Sequence, residues 1–177
     1  MNGSVIRRVV GYVLTLEALL LLLPCIVALY YNEQEGYAYL ASSAICLVLG
    51  GAMSLKKPKS NVFYLKEGCV ATALSWIVLS VFGAIPFVLT GEIPHFVDAL
   101  FETVSGFTTT GASILSDVET LANCTLFWRS FTHWIGGMGV LVFILAMIPL
   151  SGGSNMNLMR AESPGPSVSK IVPKIRK

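Results

Sequence analysis

The chain has 177 residues, 54% of them hydrophobic and only 12% charged, with a formal net charge of +2. That balance excludes a soluble globular domain of this size and reads as an integral membrane protein. Two histidines and four cysteines, none at ligand or disulfide-framework spacing, exclude a metal centre and a disulfide scaffold.

Four apolar segments follow in chain order, at 9–31, 37–55, 68–90 and 125–150. Each reaches the roughly 20 residues that cross about 30 Å of hydrocarbon. The first follows Arg7 and Arg8 but is longer than a signal-peptide core of about 7 to 15 residues, and no small-x-small site follows it. It reads as a retained helix. Glu17 within it is either a helix–helix hydrogen-bond anchor or a group near the inner interface. Cys25, Cys46, Cys69 and Cys124 read as small apolar packing residues.

Between the third and fourth spans the pattern changes. Pro94 can open a helix, and Phe96, Val97, Leu100, Phe101 and Val104 recur at helical spacing, with Asp98, Glu102 and Ser105 on another face. A helix over 94–106 is near 20 Å long and too short to cross, so it enters the membrane and returns. The polar segment Ser105-Gly106-Phe107-Thr108-Thr109-Thr110-Gly111-Ala112-Ser113 follows. Non-helical backbone at that depth is tolerated where it lines something wet, so this segment reads as an ion selectivity filter.

Eleven of the twelve basic residues fall in three groups: Arg7 and Arg8; Lys56, Lys57, Lys59 and Lys66; and Arg160, Lys170, Lys174, Arg176 and Lys177. Four spans with a re-entrant loop after the third put all three groups on one side, which the positive-inside rule makes cytoplasmic. Both termini are then cytoplasmic, and the short helix descends from outside. Its carboxyl end, carrying about half a negative charge, points at the membrane centre and favours a cation there. The carbonyls of 108–113 can replace the hydration shell of a monovalent cation, with Gly111 supplying backbone freedom.

Plainer readings stand beside these. Glu102 is either a filter-supporting hydrogen-bond acceptor or a wetted interfacial charge. Asp98 reads as a mouth-lining or solvated charge. Arg129, the twelfth basic residue, either pairs with Asp117, Glu119 or Asp98, or snorkels to the headgroups. His133 reads as packing against the pore loop, and Gly136, Gly137 and Gly139 as a small-residue face for close approach, with flexibility as the alternative.

Phe101-Glu102-Thr103-Val104-Ser105-Gly106-Phe107-Thr108-Thr109-Thr110-Gly111-Ala112-Ser113, followed by His133-Trp134-Ile135-Gly136-Gly137-Met138-Gly139-Val140, closely resembles the first pore repeat of the Trk/Ktr/HKT superfamily of potassium transporters, in its TrkH type. The two helices ahead of the repeat, and Leu158-Met159-Arg160-Ala161-Glu162-Ser163-Pro164-Gly165-Pro166 after it, are similar to the same branch. The resemblance implies potassium uptake by filter-selected conduction, as a symport system of the bacterial inner membrane. Four unequal repeats would each supply a quarter of the filter. Carried over by position, it makes the main-chain oxygens of Thr109, Thr110, Gly111 and Ala112 the potassium-binding set, with Thr109 and Thr110 foremost. Thr108, Glu102 and Ser113 are the filter support.

The resemblance also implies a homodimer at full length and a cytoplasmic TrkA-type nucleotide-binding ring as partners. Potassium is the transported substrate, with no cofactor and no nucleic acid.

The expected architecture is an all-α integral membrane protein. Two leading transmembrane helices and a basic loop occupy 1–60, a helix–pore-loop–helix repeat 61–151, and an apparently truncated basic linker 152–177. One repeat alone marks the chain as an amino-terminal fragment, so the rival readings are a non-conducting membrane module and one subunit of a homo-oligomeric channel. No serine or aspartate faces a base at bilayer depth and no phosphate-binding glycine loop occurs, so an enzyme is not expected.

Overall fold

The computed structural model describes residues 3–55 and 65–147. They form six α-helices: α1 (Gly3–Leu20), α2 (Leu22–Tyr31), α3 (Gly36–Leu55), α4 (Leu65–Thr90), α5 (Phe96–Phe107) and α6 (Asn123–Met147). Among them, the Gly3–Tyr31, Gly36–Leu55 and Glu67–Thr90 segments are long and apolar enough to cross a membrane. The fourth expected span runs through α6 to 150, past the described residues. Also outside them lie Lys56, Lys57, Lys59, the boundary near 60, the 158–166 motif and the linker 152–177 with its basic residues.

The first span is two helices rather than one. Pro24 has no N–H to offer the carbonyl of Leu20, and its ring crowds that carbonyl. The helix therefore lapses at Leu21, whose φ and ψ are −65° and −14°. Pro86 lies inside α4 without ending it.

Backbone contact sets the α1–α3 crossing. A Cβ on Gly11 would stand 2.9 Å from the Ser54 nitrogen, and one on Gly50 would stand 2.8 Å from the Gly11 oxygen. Small residues permit this approach, and a hydroxyl then spans it: Ser43 Oγ donates to the Ala18 carbonyl at 2.7 Å. α4 packs on α1, and α5 lies against both α4 and α6. Trp128 of α6 is fully buried and donates through Nε1 to the Gly83 carbonyl of α4 at 3.0 Å. The core so formed joins Leu14, Ala18 and Leu21 to Phe87, Ala99 and Trp128.

Two acidic residues from distant loops cap α6. The orphan N–H groups of a helix start need acceptors. Glu33 Oε1 takes the Asn123 N–H and side-chain amide, both at 2.8 Å, and Oε2 takes the Cys124 N–H at 2.9 Å. Glu92 Oε1 accepts from the Ala122 N–H at 2.6 Å. The caps tie the α2–α3 and α4–α5 turns to the start of α6.

Partial burial works to raise the Glu33 pKa, but the Cys124 and Asn123 donors outweigh it and hold the carboxyl below its ordinary value. A depressed folded-state pKa means the cap contributes fully above the unfolded value of about 4.3 and is lost as pH falls below it. Glu33→Ala should lower stability by about 1 kcal/mol, as loss of a helix cap does. Thermal unfolding in detergent should show the deficit at neutral pH and show it shrinking as the pH is taken well below 4.3.

Candidate functional site

The candidate site starts with α5, whose 12 residues make it about 18 Å long. It begins at Phe96 after an extended His95 rather than at Pro94, with Asp98 in its first turn suiting the helix's positive end. It ends at Phe107, whose ring is buried and meets Trp76 edge-on at 6.3 Å. The final turn closes through Thr108 N–H to the Val104 carbonyl at 2.9 Å, Thr109 N–H to Gly106 at 2.9 Å and Thr110 N–H to Ser105 at 3.0 Å.

Residues 108–113 then run exposed. Thr109 has φ 55° and Gly111 φ 75°. For a β-branched residue that is an outlier costing on the order of 1–3 kcal/mol, held only where neighbours over-determine it. Hydroxyls supply that determination. Thr108 Oγ1 donates to the Val104 carbonyl at 2.8 Å and shares a 2.7 Å hydrogen bond with Thr110 Oγ1, while Thr109 Oγ1 donates to the Thr108 carbonyl at 2.7 Å. Ser105 Oγ donates to the Ala112 carbonyl at 2.5 Å, tying the loop's far end back to α5. Among the described residues, the main-chain oxygens of Thr109, Thr110 and Gly111 accept no hydrogen bond.

Glu102 is buried rather than a wetted interfacial charge. It is 1% exposed and accepts from Ser113 Oγ at 3.1 and 3.0 Å and from the Ile114 N–H at 3.2 Å. Arg129 of α6 pairs with it through Nε. This corrects the expectation for Arg129, which neither snorkels nor meets Asp98, Asp117 or Glu119. The fully buried carboxylate on α5 outweighs the more accessible Asp98, Asp117 and Glu119, because a carboxylate taken out of water most needs a cation. The available signal was Arg129's isolation from the three basic groups.

α6 holds the loop from behind. A Cβ on Gly106 would overlap Thr132 Oγ1, and one on Gly136 would overlap the Phe107 carbonyl oxygen. At Gly137 a Cβ would stand 3.9 Å from Thr109 Cγ2, ordinary contact. At Gly139 no atom of the described residues lies within 4 Å of where a Cβ would stand, and its φ of 73° and ψ of 152° kink α6. His133, half-buried, joins its Nδ1 to the Arg129 carbonyl at 2.9 Å. The four cysteines are free, with Cys46 and Cys124 buried and Cys69 exposed. No group of residues able to hold a metal through side chains occurs among the described residues.

Comparison with known proteins identifies relatives of the whole described fold. A family profile described as TrkH, cation transport protein, matches residues 35–177. The chain is 36% identical over 181 residues to the Trk system potassium uptake protein TrkG of Escherichia coli, covering 99% of this chain and 37% of that protein. It is 37% identical over 148 residues to an uncharacterized cation transporter of Methanocaldococcus jannaschii, covering 83% and 31%. The crystal structure of the potassium transporter TrkH from Vibrio parahaemolyticus superposes with a TM-score of 0.75 at 30% identity, over 91% of this chain and 36% of that one. The chain thus spans about a third of the length of these relatives.

Removing one partner of the buried pair should leave an uncompensated charge. Arg129→Gln should destabilise by about 3–5 kcal/mol, while the double variant Glu102→Gln, Arg129→Gln should recover much of that. Thermal unfolding of the two single variants and the double variant measures the coupling.

Proposed function

The chain belongs to the TrkH family of cation transport proteins, and from that premise we propose that residues 108–113 form one quarter of a potassium-selective filter. The observation that carries this reading is the run of unengaged main-chain oxygens at Thr109, Thr110 and Gly111, directly beyond the carboxyl end of α5. Helix dipole and carbonyl dipoles then act with the same sign. A potassium ion exchanges water for these oxygens at little cost, because the loop is already held in place. Ala112 completes the row through the lone pair that Ser105 leaves free.

Each supporting group has one task in this mechanism. Thr108 and Ser105 fix the two ends of the loop by their hydroxyls. Glu102 holds Ser113 and Ile114, and Arg129 neutralises it, so no fixed negative charge competes with the carbonyls for the ion. Conduction is passive through this segment and involves no covalent chemistry. The complete assembly adds three further filter quarters around one path.

We place the protein in a bacterial inner membrane with amino and carboxyl ends cytoplasmic, on the strength of the three basic groups in the sequence. Potassium uptake, symport, dimerisation and docking of a TrkA-type ring on the basic cytoplasmic segments belong to the same proposal.

Gly111→Ser in a complete protein carrying this segment should reduce potassium over sodium discrimination on the order of tenfold, since a Cβ in the left-handed region costs about 1–2 kcal/mol. Potassium-limited growth of an uptake-deficient strain, with sodium as competitor, reads the change. Unaltered discrimination counts against the filter assignment.

A further inference from the structure

Glu17 of α1 has no part in the mechanism above, yet it lies directly behind the filter helix. It sits near the middle of the Gly3–Tyr31 span and is 1% exposed. Among the described residues neither carboxylate oxygen has a hydrogen-bond partner, so within them Glu17 anchors no helix–helix hydrogen bond, and its place in mid-span is not interfacial. Opposite it, α4 presents Gly83, where the missing side chain leaves a gap. A Cβ there would stand 3.2 Å from Glu17 Oε1, 3.0 Å from Thr103 Cγ2 and 3.3 Å from Phe107 Cε2.

Four helices therefore meet at one point: α1 through Glu17, α4 through Gly83, α5 through Thr103 and Phe107, and α6 through Trp128 on the Gly83 carbonyl. Phe107 is the last helical residue before the exposed loop.

Among the described residues the neighbours offer Glu17 no charge compensation. From α3, Ser43 spends its hydroxyl on the Ala18 carbonyl, and Cys46 is the titratable group within electrostatic reach. From α5, Thr103 donates to Ala99 at 2.7 Å, and the adjacent Glu102 is turned to Arg129. α4 contributes Gly83 and α6 the committed Trp128 N–H. An ionised carboxylate in apolar surroundings without a donor is among the costliest states a side chain can take at bilayer depth. The neutral acid avoids that cost.

We propose that Glu17 is a proton-binding site that positions the filter: held as the neutral acid, it fills the gap at Gly83 and keeps the last turn of α5 seated. The proton exchanges between a carboxyl oxygen and water, and its loss leaves a charge that must recruit a donor or water. Either response displaces Thr103 and Phe107, and with them residues 108–113. Protonation stands on the geometry alone; the consequence for transport rests on the filter reading.

Infrared difference spectroscopy of the full chain in lipid vesicles at neutral pH tests the protonation. The carbonyl stretch of a protonated carboxyl should be present, vanish in Glu17→Gln and shift in Glu17→Asp. A missing band, or one that persists in Glu17→Gln, overturns the proposal. Positioning is read without transport from Trp128 emission in a Trp76→Phe, Trp134→Phe background. Alkaline titration should change the emission with Glu17 present and leave it flat in Glu17→Gln; a flat response in both overturns the positioning role. In rubidium uptake by the complete protein, Glu17→Gln should stay near the unsubstituted rate and lose its alkaline decline, while Glu17→Ala should fall about tenfold or more. Absence of uptake in every version would count against the filter reading, leaving the proton site to the spectroscopic result.

Discussion

A buried carboxylate must be answered by a cation and by hydrogen-bond donors, and Glu102 receives both from opposite directions. Its oxygens take the Ser113 hydroxyl and the Ile114 N–H from the loop's far end and the Arg129 guanidinium from α6. One side chain of α5 thereby fixes where the loop ends and how α6 lies against it. Because Glu102 is taken out of water and Arg129 largely so, loss of the arginine would leave the carboxylate uncompensated.

Around that pair, backbone approaches backbone wherever side chains are missing. Gly136 admits the Phe107 carbonyl and Gly106 admits Thr132, so the end of α5 is pressed into α6. The loop then leaves α5 through a left-handed threonine, Thr109, whose strain is offset by hydrogen bonds of the closing turn. Hydrogen bonds at both ends hold the loop's main chain in place. The threonine hydroxyls serve this end as well as packing, since each spends its donor on a main-chain oxygen or a neighbouring hydroxyl.

The start of α6 is held by electrostatics of another kind. Glu33 and Glu92 reach across the fold to the exposed N–H groups of α6, joining turns remote in sequence. These contacts replace a local capping residue with long-range ones, so the start of α6 forms with the tertiary structure rather than before it. The break at Leu21 and the kink at Gly139 show the same dependence on single residues, one with no amide proton and one with no side chain.

Much of this was legible in the chain. Span positions, the short amphipathic helix and its polar continuation follow from hydropathy and periodicity, because a bilayer imposes length and apolarity on whatever crosses it. Gly111 was recognisable as a backbone specialist and Gly136 as a close-approach residue, since glycine's properties are local. The pairings were not legible: Arg129 with Glu102, Ser105 with Ala112, Glu33 with the start of α6, and the unpartnered Glu17 behind Gly83. Sequence states which side chains carry charge or hydroxyls, but partner choice depends on which helices become neighbours and which atoms lose their water. Only the packed structure decides that, because desolvation, and hence the need for a partner, is created by packing itself.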